Sequence, residues 1–65
     1  MISNLDKMIL TELDKQRFKA HVISTIMNKL NEDKSKNIFL DYLIENRNVL
    51  LSKNDVVKKL REILV

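Results

Sequence analysis

Neither glycine nor proline occurs anywhere in the 65 residues of the chain. Glycine supplies most left-handed turn positions and proline is the strongest helix breaker. Their joint absence removes the commonest punctuation of hairpins, strand corners and tight turns. What remains is a sequence suited to long helices whose limits are set by polar caps. A core drawn from so short a chain only just offsets the entropy of ordering it. Small domains meet that shortfall with disulfides, a structural metal, regular helix packing or oligomerisation. Cysteine is absent and His21 is the only histidine, so the first two routes are closed. The sequence predicts one helical domain over residues 1–65, stabilised by packing and self-association.

Caps and periodicity divide the chain. Ser3-Asn4-Leu5-Asp6 places a hydroxyl, and three residues later a carboxylate, where the free amides of a first helical turn need acceptors. Apolar or small residues then recur at Ile9, Leu13, Ala20, Ile23, Met27 and Leu30, with Gln16 completing a heptad-like rhythm. Phe18, Val22 and Ile26 widen that seam into a second stripe. Asp14, Lys15, Gln16 and Arg17 form a polar run, yet none of them forbids helix. The reading is one continuous helix over residues 4–30, roughly 40 Å long. Its six seam residues, Ile9, Leu13, Ala20, Ile23, Met27 and Leu30, are the candidate self-association surface.

The polar run Asn31-Glu32-Asp33-Lys34 ends this helix, and Asp33 or Ser35 can cap the next. The second helix is expected to bury Ile38, Phe39, Tyr42, Leu43, Asn46 and Leu50, with Leu40, Ile44 and Leu51 beside them. Asn46-Arg47-Asn48 interrupts it, and Ser52-Lys53-Asn54-Asp55 repeats the cap-and-acid signature. A third helix follows on Val56, Val57, Leu60, Ile63 and Leu64. The expected fold is therefore an all-α bundle of three helices, one long N-terminal helix packed against two shorter ones, assembled as a dimer.

Chemistry is limited by the same inventory. A lone His21 has no metal or catalytic partner at helical spacing, and reads as a surface histidine. Asp41 and Glu45, four apart, read as a solvated face. Without glycine no phosphate-cradling loop can be built. The chain is expected to be no enzyme, with no catalytic residues, no metal, no cofactor and no small-molecule substrate. Met8 and Met27 read as core fillers, as do Phe39 and Tyr42. Apolar runs reach only three residues, as at Ile38-Phe39-Leu40, too short to cross a bilayer. Residues 1–14 lack the basic start and apolar run of a secretory leader. The expectation is a soluble, cytoplasmic protein.

Two functional readings follow. The first is a small regulator or adaptor that dimerises and docks a helical face on a protein target. The second is a dimeric DNA-binding regulator of plasmid or phage type. For the second, residues 37–64 have the layout of a helix-turn-helix, with Lys53, Asn54, Lys58, Lys59 and Arg61 as candidate nucleic-acid contacts. Against it, the usual turn glycine is missing and Asp55 and Glu62 dilute the positive field. The net charge of +3, from 12 basic and 9 acidic side chains in mixed order, is also a weak pull toward nucleic acid. The protein-binding reading is the preferred one.

Overall fold

A computed structural model describes residues 4–64; the expected cap at Ser3 lies outside the described residues. Four helices and no strand are present among them: α1 (Asn4–Lys15), α2 (Ala20–Lys29), α3 (Asp33–Glu45) and α4 (Lys53–Leu64). The all-helical expectation holds, but four helices replace three. The long helix over residues 4–30 is two, α1 and α2. A continuous helix there would exceed the largest dimension of the molecule, 28 Å. The radius of gyration is 10.7 Å, close to the roughly 11 Å of a compact chain this long.

The break lies in the polar run that had been read as helix. Arg17 has φ 66°, a left-handed backbone that costs a residue with a Cβ about 1–2 kcal/mol. Its amide bonds the Asp14 carbonyl at 2.9 Å, and the Phe18 amide reaches back to the Leu13 carbonyl at 3.4 Å. These crossed bonds form a Schellman stop, a motif that usually places glycine at the position Arg17 occupies. Phe18, one residue on, turns in against the same core as Leu13. Lys19 is extended, at φ −68° and ψ 151°, and α2 begins after it without a side-chain cap.

Tertiary bonds hold this stop in place. Gln16 is only 7% exposed. Its amide nitrogen donates to the carbonyls of Asn46 at 3.1 Å and Val49 at 2.9 Å, while its amide oxygen accepts from the Leu51 backbone at 2.9 Å. One end of the amide meets carbonyls and the other meets an N–H, so a single orientation satisfies all three groups. One turn earlier, Glu12 is also buried and takes a two-pronged bond from Arg47, at 3.1 and 2.8 Å. Both side chains point from the end of α1 into the connection between α3 and α4. Asp6 and Lys36, 3.1 Å apart, add a further tie between α1 and α3.

The core is built on the α1–α3 pair. Ile9 and Leu13 of α1 meet Phe39, Leu40 and Leu43 of α3. Leu51, Val56 and Leu60 from the C-terminal part and Ile26 and Leu30 from α2 and its end complete the same cluster. Tyr42 packs at the edge, its ring 6.1 Å from that of Phe39. Several expected core positions differ. Ile38 and Ile44 are exposed, and Leu50 is 79% exposed because α3 ends at Glu45 and Leu50 falls in the connection rather than on a helical face. Met8 is 51% exposed, so it fills no core. The N-cap of α3 is Glu32, without a side-chain cap bond, and neither Asp33 nor Ser35 serves. The α4 start does follow its signature. The Ser52 amide donates to the Asp55 carboxylate at 3.0 Å, and the Asp55 amide donates to the Ser52 hydroxyl at 3.1 Å.

Three stability predictions follow from these bonds. Gln16→Leu strands three backbone groups, one of them a buried amide, and should cost about 2–4 kcal/mol in chemical denaturation. An unchanged midpoint would show that the bonds do not hold the connection. Arg17→Gly relieves the left-handed strain, and the net gain should be about 0.5–1 kcal/mol after the greater freedom of unfolded glycine. The pH dependence is set by Glu12, whose carboxyl is held below its ordinary 4.5 chiefly by the Arg47 hydrogen bond, against an opposing push from burial. A depressed carboxyl contributes stability that is complete above its unfolded value and lost as pH falls through its folded one. Melting temperatures should thus decline below about pH 4.5, and Glu12→Gln should flatten that decline while lowering stability near neutrality.

Candidate interaction surface

The polar break at residues 16–19 gives α2 an unusual position. Among the described residues, no Cα of α2 lies within 8 Å of one in α3 or α4; its only close backbone neighbour is α1. Yet α2 carries apolar side chains on both flanks. Ala20, Ile23 and Met27 lie at spacings of three and four along one flank, and Val22 and Ile26 along the other. Each flank borders an open groove.

The first groove runs between α1 and α2 and has a volume of about 420 Å³. Leu10 of α1 and Ala20, Ile23 and Met27 of α2 form its apolar surface, with Asp6, Ser24 and Asn28 at its polar edge. The six candidate self-association residues therefore separate into two sets. Ile9, Leu13 and Leu30 are fully enclosed within the chain's own core, where no second copy can touch them. Ala20 is exposed and Ile23 and Met27 are half-buried, and these three come together in the groove. Leu10 joins them. It escaped the sequence reading because the heptad rhythm assigned α1 a single face.

The second groove separates α2 from α4 and measures about 450 Å³, a size typical of ligand sites. Ile26, Val56 and Leu60 line it from the buried core, and Val22 and Val57 stand half-buried along its sides. His21, Lys29, Lys53 and Arg61 stand at its rim. The Thr25 hydroxyl is turned to its own helix, donating to the His21 carbonyl at 2.9 Å.

The candidate nucleic-acid contacts are divided in space. Lys53 and Arg61 border the α2–α4 groove. Lys58 and Lys59 lie on another side of α4, beside Tyr42, Asp55 and Glu62. Lys59 sits 3.6 Å from Glu62 and 5.4 Å above the Tyr42 ring. The Tyr42 hydroxyl makes a long bond of 3.5 Å to the Asp55 carbonyl, and its pKa is pushed up by burial first and by the Asp55 charge second. Asn54 is exposed in the first turn of α4. The connection between α3 and α4 runs over residues 46–52, longer than the three or four residues of a helix-turn-helix.

Asp41 and Glu45 are exposed on α3, and no group of three or more metal-ligating side chains is gathered among the described residues. Among the described residues no helix is long and apolar enough to cross a membrane. Comparisons with protein families, curated proteins and solved structures found no match.

Proposed function

We propose that the protein is a small non-enzymatic interaction module, a regulator or adaptor that binds protein through helix faces and assembles as a homodimer. One observation carries this reading. A two-flanked apolar helix approaches only α1 closely in backbone and enters the core through Ile26, leaving half-buried aliphatic side chains beside open grooves on both sides. Core helices of a self-sufficient monomer bury such flanks against neighbours.

The α1–α2 groove suits a second copy. Its surface is apolar, and Asp6 is the one ionisable group among its lining residues, so a two-fold arrangement sets little like charge against itself. Ala20, the first residue of α2, leaves room in its lining for a second helix backbone to approach closely. The DNA-binding alternative draws less support, since its basic residues face in more than one direction and Lys59 is already occupied by Glu62 and Tyr42.

Ala20→Glu tests the dimer directly. Ala20 is exposed within the chain, so the substitution leaves the fold of one protomer intact while placing a charge in the interface. Light scattering after size exclusion should give a dimer for the natural sequence at micromolar concentration and a folded monomer for the variant. A natural sequence that is already monomeric, or a variant of unchanged mass, would remove self-association through this surface.

A further inference from the structure

The α2–α4 groove differs in kind from its neighbour. Its floor is apolar and continuous with the core through Ile26, Val56 and Leu60, and among the described residues no carboxylate lines it. Three of its rim residues are cations. Of the nine other cations, Lys15, Lys36, Arg47 and Lys59 are engaged by carboxylates, whereas Lys7, Arg17, Lys19, Lys34 and Lys58 make no ion pair within 4.0 Å among the described residues. Among the described residues, no ion pair within 4.0 Å involves Lys29, Lys53 or Arg61. An open apolar trough bordered by unpaired positive charge lacks a partner in both respects.

The spacing of the rim defines that partner. On α2, His21 and Lys29 are eight residues apart, and on α4 so are Lys53 and Arg61. Eight residues span about 12 Å of helix axis. Polar donors thus recur along both walls over a length of about two helical turns. A helix laid in a groove presents apolar anchors at i, i+3 or i+4 and i+7, which cover the same length, and its flanking side chains fall on the two rims. We propose that this groove binds an acidic amphipathic helix of a protein partner, its apolar face on the accessible Val22, Val57 and Leu64 above the buried floor of Ile26, Val56 and Leu60, and its Asp and Glu side chains against Lys29, Lys53 and Arg61.

Other occupants fit less well. A fatty-acid carboxylate satisfies one point on the rim and leaves the others unmatched. Duplex nucleic acid offers phosphates but nothing for an apolar floor. A second copy of this chain would bring its own cationic rim against this one. The proposal rests on the interaction-module reading but uses the flank of α2 opposite to the dimer surface.

The test is selection from a displayed library of 16-residue helical peptides on the immobilised full chain. Leucine is fixed at i, i+4 and i+7, and the flanking positions are randomised among Glu, Gln and Lys. Selected peptides should be enriched in Glu at the flanks. Their affinity, read by fluorescence anisotropy, should fall about tenfold or more in Lys53→Glu/Arg61→Glu and in Lys29→Glu. Selection on the double variant should turn toward Lys flanks. Amide shifts in the labelled protein should centre on α2 and α4 around Val22, Ile26, Val57 and Leu60. Enrichment no greater than on blank support, flanks without an acidic preference, affinity indifferent to charge reversal, or shifts centred on Leu10 and Met27 would each overturn the proposal. So would binding of dodecanoate or a DNA duplex at the groove without selectable peptides. Flank preference on the natural sequence stays decisive if a reversed variant fails to fold. Ala20→Glu separates the two readings: as a folded monomer it should still bind the peptides. A failed selection on an intact dimer counts against the groove alone.

Discussion

The arrangement of the four helices depends on one buried amide. Gln16, just past the end of α1, satisfies three main-chain groups of the α3–α4 connection, in residues that follow it by 30 to 35 positions. Buried backbone groups need partners, and a connection without regular structure must find them in side chains or water. Here one side chain supplies all three. Glu12 and Arg47 reinforce the same junction one turn away with a charge-assisted pair. Those bonds set where α3 stops, where Leu51 enters the core and from which direction α4 begins.

They also determine what α1 can do next. Gln16 follows the last residue of α1, and the chain turns away immediately after it through the left-handed Arg17. α2 is thereby carried off as a separate rod with its own direction. Its close backbone approach to α1 alone, and the two grooves beside it, follow that turn. The candidate interaction surfaces thus trace back to a hydrogen-bonding requirement in the interior.

Much of this was legible in the residues. The absence of glycine, proline and cysteine pointed to an all-helical domain. The Ser52–Asp55 signature located the start of α4, and the apolar seam picked out Ile9, Leu13 and Leu30, which are buried, whereas the reading carried α3 past Glu45 by counting Asn46 and Leu50 on its buried face. The break at Arg17 was not legible because its usual marker, glycine, is replaced by a side chain that tolerates left-handed backbone only at a cost. Gln16 was noticed as the polar member of an apolar rhythm, but the partners that make it suitable there lie more than thirty residues away. The grooves were hidden for a related reason. A seam of apolar positions says which residues seek burial, whereas the folding-back of α2 decides which of them achieve it.

The α3–α4 connection separates shape from side-chain identity. Its path is held through carbonyls and an amide, while Val49 and Leu50 project outward, 54% and 79% exposed. Any residue able to adopt the same backbone can stand at those two positions without disturbing the bonds. The specification of the loop is stored in another element, at position 16. Sequence drift is therefore cheap where the loop is written and costly where it is read. A chain of this fold can change its exposed tip freely, altering what it displays to solvent, provided the amide beneath it stays.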